Sequence, residues 1–173
     1  MPENETFLLD TNVFIEPKNR YYPFDICPGY WQLLEGSLGG DTVESLTYVY
    51  DEIMAGEDDL TDWTKRSFKR GQFIDCATDA DVFAKYLEIS GYVNALPDKR
   101  PNAIQDFLQT DATDPWLVAQ AAVHGETVVT MEHSMQESKK KVSFIDVCDY
   151  FGVKHIEIFP FLRCLKAKFV LSS

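Results

Sequence analysis

FLLDTNVFI, residues 7–15, is an apolar run that stops at Asp10 and resumes at Val13. Phe7, Leu8 and Leu9 are apolar without alternation, which predicts a strand covered on both faces, because a half-exposed strand alternates apolar and polar positions. The strand therefore ends on a carboxylate. In open α/β sheets ligands gather outside the carboxyl ends of the strands, so Asp10, with Thr11 and Asn12 behind it, stands at the chemically privileged edge. Asp, Thr and Asn also favour the starts of helical turns, so capping alone would explain Asp10 equally well. Carboxylates at three further places in similar settings tip the balance toward chemistry.

Outward from this strand, Pro17 and the polar, aromatic stretch KNRYYPFD read as a loop. Pro28 can open a helix in which Trp31, Leu34 and Leu38 recur at spacings of three and four, ended by Gly39 and Gly40. Thr42 to Leu46 predicts a second short strand, and Ser45 or Thr47 can cap a helix running through Val49, Glu52 and Ile53 to Gly56. Residues 58–70 predict a further helix, with Leu60, Trp63 and Ser67 facing inward and a basic cluster on the outer face. Gln72 to Ala77 reads as a short strand or extended connector, and Asp79 or Asp81 opens a helix containing Val82, Phe83, Tyr86, Leu87 and Ile89. Pro97 and Pro101 bracket a break before a short helix, Ala103 to Leu108. The segment DATDPWLVAQAAVHGETVVTMEH, residues 111–133, predicts a helix starting at Asp114 with Pro115 at its first position, a stop at Gly125, and a buried strand from Thr127 to Thr130. The polar segment SMQESKKK reads as a loop, and Asp146 can cap a helix ending at Gly152. Beyond His155 the strand and helix signals balance. Helix alternating with buried strand is the α/β crossover pattern, and the expected architecture is a three-layer α/β/α fold around a central parallel sheet.

A chain of 173 residues, 45% of them hydrophobic, can bury most of its apolar surface as a single domain, residues 1–173, without disulfides or a partner. It has no run of 18 apolar residues, and MPENETFLLD lacks the basic start and apolar core of a signal peptide, so a cytoplasmic protein without membrane contact is expected. Cys27, Cys76, Cys148 and Cys164 form no CxxC pair and read as reduced, mostly buried thiols. The net charge of −12 discourages a nucleic-acid partner, because phosphate binding is dominated by Lys and Arg. That argument weakens if the acids hold a cation and the bases cluster, as they do at Lys65, Arg66, Lys69 and Arg70 and again at Lys139, Lys140 and Lys141. Such runs are more often solvated faces. His124, His133 and His155 have no zinc spacing, and Tyr21, Tyr22, Phe24, Tyr30 and Trp31 read as core and loop packing rather than a base-stacking platform.

Four carboxylates then stand at places an α/β sheet can bring together: Asp10 after the first strand, Glu52 on a helix, Asp114 at a helix start and Glu132 after a later strand. Clustered carboxylates repel one another, and a hard cation such as Mg²⁺ or Mn²⁺, which prefers oxygen ligands, is the simplest way for them to stay ionised together. Each also has a plainer reading: Glu52 as a solvated helix residue, Asp114 as an acid favoured by the helix dipole, Glu132 as a loop acid. Asp111 reads as a capping residue, and Asp51 should point to a different helix face from Glu52.

The order LLDTN, YDEI, DPWLVAQAAVHG and VVTME resembles the PIN-domain nucleases, and within them a VapC-like toxin subgroup, over residues 7–152, with 153–173 as an extension. The resemblance implies a parallel sheet flanked by helices and a Mg²⁺- or Mn²⁺-dependent endoribonuclease, the toxin of a toxin–antitoxin pair. Its implied partners are an RNA substrate, a cognate antitoxin and a second copy of the chain. By motif position Asp10, Glu52 and Asp114 match the family's three core acids, Asn12 the polar residue after the first acid, and Thr130 the hydroxyl residue ending the later strand. Many members carry Asp two residues after that threonine. This chain has Glu132, which leaves direct or water-mediated ligation open. RNA contacts would fall first to Lys65, Arg66, Lys69 and Arg70 and second to Lys139 to Lys141. Two other readings compete: a catalytically silent module that binds protein or RNA, and an aspartyl phosphatase using Asp10 as nucleophile, for which a second Asp would be wanted at position 12.

Overall fold

The computed structural model describes residues 5–134 and 138–170. Residues 1–4 of the amino-terminal stretch, 135–137 of the expected loop and 171–173 lie outside the described residues. Strand β1 (Phe7–Leu9) is buried at every position, as its unbroken apolar run requires. It lies inside a four-stranded, all-parallel sheet of order β2-β1-β3-β4, with β2 Val43–Ser45, β3 Thr127–Val129 and β4 His155–Ile156. Leu9 sits opposite Ser45 on one side and Val129 on the other. Helices flank the sheet in a three-layer α/β/α arrangement. From β1 the chain goes to β2 on one side, and from β3 to β4 on the other. The carboxyl ends of β1 and β3 therefore border the crevice where connections diverge, the place such sheets use for ligands.

The first crossover contains α1 (Asn12–Glu16) and α2 (Pro28–Ser37). The loop expected after Pro17 begins instead as a π-helical turn, Pro17–Tyr21. Proline has no N–H to continue an α ladder, and the wider turn closes with Tyr22 N–H donating to the Pro17 carbonyl at 2.6 Å. Pro17 likewise has nothing to give the Val13 carbonyl, and the buried Tyr30 hydroxyl on α2 donates to it at 2.6 Å. Trp31 and Phe24 stack with ring centroids 4.1 Å apart, and the Trp31 indole donates to the Tyr22 carbonyl at 2.8 Å. This aromatic group is packing, as expected, except that Tyr21 is 46% exposed.

Helix α3 (Thr47–Met54) follows β2 directly. Neither Ser45 nor Thr47 caps it. Leu46 occupies the cap position without a side-chain bond, and the Ser45 hydroxyl instead donates to the Leu9 carbonyl at 2.8 Å, joining β2 to β1. Helix α4 (Asp59–Ser67) is capped by Asp58, which accepts from Thr61 N–H. It stops short of Arg70 because Phe68 turns extended and buries its ring against Trp63 and Phe73. Ile74 then bridges to Leu46 between two 3₁₀ turns, so the connector is not a full strand. Asp79 rather than Asp81 caps α5 (Ala80–Asn94), and α6 runs Pro101–Leu108 with proline at its start. Helix α7 (Asp114–His124) packs along α5 and ends at Gly125, whose φ of 82° supplies the left-handed closure. Helix α8 (Phe144–Tyr150) is capped by Ser143, not Asp146: the Asp146 N–H donates to the Ser143 hydroxyl. The ambiguous carboxyl-terminal stretch resolves into both signals, β4 followed by α9 (Ile158–Cys164).

All four cysteines are free thiols, with Cys76 and Cys148 buried. Among the described residues no helix is long and apolar enough to cross a membrane.

Candidate metal centre

Asp10 leaves β1 with its N–H donating to the Val129 carbonyl at 3.0 Å, and the Thr130 N–H donates to Ile156 in the same way. Both residues are thereby fixed just past the carboxyl ends of their strands. Asp10 is buried, 3% exposed. Its Oδ2 accepts from the Thr130 hydroxyl at 2.7 Å and from the Asn12 side-chain amide at 3.3 Å. The Thr130 oxygen in turn accepts from the Glu132 N–H at 3.1 Å. One hydroxyl thus orients the first acid and pins the backbone of the fourth.

Glu52 is reached from two sides. Thr11 opens α1 and Thr113 opens α7, yet neither hydroxyl caps its helix. Both donate instead to Glu52 Oε2, at 2.6 and 2.8 Å. A carboxylate on the helix after β2 is thereby tied to the residue following Asp10 and the residue preceding Asp114. Asp114 lies in the first turn of α7, whose antiparallel run beside the sheet brings its amino end to the strands' carboxyl edge. It is half-buried, and among the described residues no hydrogen-bond donor reaches its carboxylate.

Burial, with the charges of Glu132 and Glu52 added, raises Asp10 from the model-peptide value of 3.8 to about 6, against the lowering effect of the Thr130 hydrogen bond. Burial again comes first for Asp114, which is pushed well above the usual carboxylate range with help from Asp10, Glu132 and Glu52. These are the signatures of acids crowded without enough positive charge. Lys141 brings positive charge to these acids, its ammonium donating to Glu132 Oε1 at 3.0 Å. Burial opposes that charge, but the bond and pull of Glu132, with Asp114 and Asp10 behind it, hold the ammonium above its ordinary value.

Beside these acids lies a cleft of about 380 Å³ whose lining includes Asn12, Arg20, Tyr21, Met131, Glu132 and Lys141. The donor set at this edge is all oxygen, which suits a hard divalent cation, and the unmatched acids at Asp10 and Asp114 are the feature such an ion would relieve. As the side chains stand, no three His, Cys, Asp or Glu groups among the described residues are drawn close enough to hold an ion. Asp10, Glu52, Asp114 and Glu132 are the groups that would do so, and the Lys141–Glu132 pair is the contact that would open.

The other expected positions divide. Lys65 and Arg66 are exposed at the end of α4, but Lys69 and Arg70 lie past the helix, so the four bases do not form one helical face. Arg70 is engaged with Asp51 through two bonds, 2.8 and 2.7 Å. Asp111 is exposed, and among the described residues it accepts no capping bond. The histidines pair with surface acids: His124 with Asp79, His155 with Asp149 and, at 3.7 Å, His133 with Glu157. Arg20, which lines the cleft, had no signal of its own in the sequence; Thr11, read only as standing behind Asp10, and Thr113 were not expected to hold Glu52. Their signal was adjacency, a hydroxyl directly after Asp10 and another directly before Asp114, but any helix start favours threonine.

The chain belongs to the family described as a domain of unknown function (DUF4411), which matches residues 7–169. No curated protein matches it.

Proposed function

We propose that this protein is a metal-dependent endoribonuclease. The observation that carries the reading is the crowding of Asp10 and Asp114, with Glu52 and Glu132 in Coulombic reach, at the diverging crevice of a parallel sheet. Asp10, Glu52, Asp114 and Glu132 would hold Mg²⁺ or Mn²⁺. When bound, such an ion polarises a phosphodiester and lowers the pKa of water that attacks it. The chain's own residues orient the acids: Thr130 and Asn12 hold Asp10, and Thr11 and Thr113 hold Glu52. Lys141, released from Glu132, becomes a cation at the cleft for a substrate phosphate, with Lys65 and Arg66 as a more distant rim.

The resemblance to VapC-like toxins extends the proposal to a toxin neutralised by a cognate antitoxin, active in the cytoplasm and associating as a dimer. Asn12, where a phosphatase of the aspartyl type would carry a second Asp, supports the nuclease over that alternative. The test is digestion of defined RNAs with Mg²⁺, Mn²⁺ or chelator, beside Asp10→Asn and Asp114→Asn. Cleavage that needs the ion and both acids supports the reading. Specific RNA binding without cleavage under any ion would favour the silent binding module.

A further inference from the structure

The cleft beside the acids has a wall that metal chemistry does not use. The π-helical turn Pro17–Tyr21 delivers two consecutive side chains, Arg20 and Tyr21, to it. Such wide turns recur at functional sites, where they re-aim side chains that a regular helix would place elsewhere. Tyr21 is 46% exposed and meets Phe159, itself 41% exposed at the start of α9, with ring centroids 6.0 Å apart at 80°. An edge-to-face contact fixes the orientation of a ring while leaving part of it open. Neither ring belongs to the buried core.

Two cations share this cleft. Arg20 is 68% exposed in its side chain and pairs at 3.1 Å with Glu16, one helical turn back and itself part of the lining; Lys141, paired with Glu132, lines the cleft as well. An exposed pair of that kind contributes little, so Arg20 can change partner at small cost. The cleft therefore combines an open aromatic ring, held from behind, with two cations whose present partners are replaceable. Aromatic rings that take a base face-on beside cations that follow the backbone are how proteins hold single-stranded nucleic acid.

Resting on the ribonuclease reading above, we propose that this cleft is a nucleotide subsite: the base of one unpaired residue of the RNA stacks on Tyr21, buttressed by Phe159, while its backbone phosphate lies between Arg20 and Lys141. The stack is tolerant of base identity, since every base presents a π face, and it cannot form with a paired base.

The test is fluorescence anisotropy with the intact chain and two end-labelled probes of equal charge, an oligoadenylate about eight nucleotides long and the same oligomer with abasic residues. Tyr21→Ala is expected to weaken oligoadenylate binding roughly five- to one-hundred-fold, the range of one lost base stack, and to leave the abasic oligomer unchanged. Tyr21→Trp should retain oligoadenylate affinity within about twofold and show indole quenching on binding, since the larger ring still stacks. Arg20→Ala should weaken both probes alike and reduce the salt dependence. Equal effects of Tyr21→Ala on the two probes, or none on either, would overturn the subsite. So would failure of the wild-type chain to bind oligoadenylate. The two readings fail separately: the stated Tyr21 pattern without ion-dependent cleavage would sink the nuclease and keep the subsite, and ion-dependent cleavage with Tyr21 indifferent would do the reverse.

Discussion

The Thr130 hydroxyl donates to Asp10 Oδ2 at 2.7 Å across the junction of β1 and β3, and its oxygen accepts the Glu132 N–H at 3.1 Å. A single side chain thus sets the orientation of a buried acid and the path of the backbone carrying another. Thr130→Val keeps the shape and deletes both bonds. A hydrogen bond to a charged group contributes about 1.5–3 kcal/mol, so cleavage should fall about tenfold to one-hundred-fold and the Mg²⁺ concentration for half-maximal activity should rise. Thr130→Ser should restore most of both. A valine variant with wild-type metal dependence would remove Thr130 from the site.

Asp10 also predicts a pH-dependent penalty in the metal-free protein. Its folded value of about 6 exceeds the 3.8 of a free side chain, so between those values the folded state binds more protons than the unfolded state, and stability falls as pH rises through the window. Asp10→Asn has no charge to confine. In chelator it should be more stable than wild type above about pH 6, by at most roughly 3 kcal/mol for a shift of that size, and the advantage should vanish below about pH 4. Urea unfolding at a series of pH values checks this; an Asn variant less stable than wild type at neutral pH would contradict it.

On the proposed reading, Lys141 competes with the ion for the charge of Glu132. Lys141→Met should lower the Mn²⁺ concentration needed for half-saturation by a few-fold, because Glu132 no longer has to be taken from an ammonium, while RNA binding weakens and its salt slope flattens by about one. Calorimetric titration of metal without RNA separates the two effects. Weaker metal binding in Lys141→Met would show that the lysine organises the site rather than competing for it.

Tyr30 supports the first crossover from behind. Its hydroxyl supplies the Val13 carbonyl, which Pro17 cannot serve. Tyr30→Phe should cost about 1–3 kcal/mol, the penalty of a buried carbonyl left unpaired, read as a drop in urea midpoint with unchanged slope. No change would mean that the carbonyl finds another donor.

The fold was legible where residues had one physical option. FLL had to be doubly covered, and Gly125 had to close α7. The helix at Pro17–Tyr21 was not legible, because proline ends an α ladder and the compensation comes from Tyr30 on another helix. Nor was the end of α4, which is decided by where the Phe68 ring finds Trp63 and Phe73. At the candidate site the acids announced themselves by position along the chain, but the threonines on Glu52 did not: each sits where a capping residue belongs, and only tertiary packing turns its hydroxyl toward α3 instead. Lys141 was outranked by the longer basic cluster near α4, whose Arg70 turns out to serve Asp51.

The central claim is that these acids exist to hold an ion that cuts RNA. The most direct measurement is cleavage of a labelled single-stranded RNA by the wild-type chain and by Asp114→Asn, prepared identically, across a Mn²⁺ titration and in excess chelator. Asp114 is the acid to change because no donor among the described residues satisfies it and it bears no cap bond to its own helix, so the amide should leave the fold in place, as circular dichroism would verify. The account predicts ion-dependent cleavage by the wild type, none in chelator, and a loss of at least about one-hundred-fold in the variant. Equal cleavage by both proteins, or cleavage that persists in chelator, would contradict it.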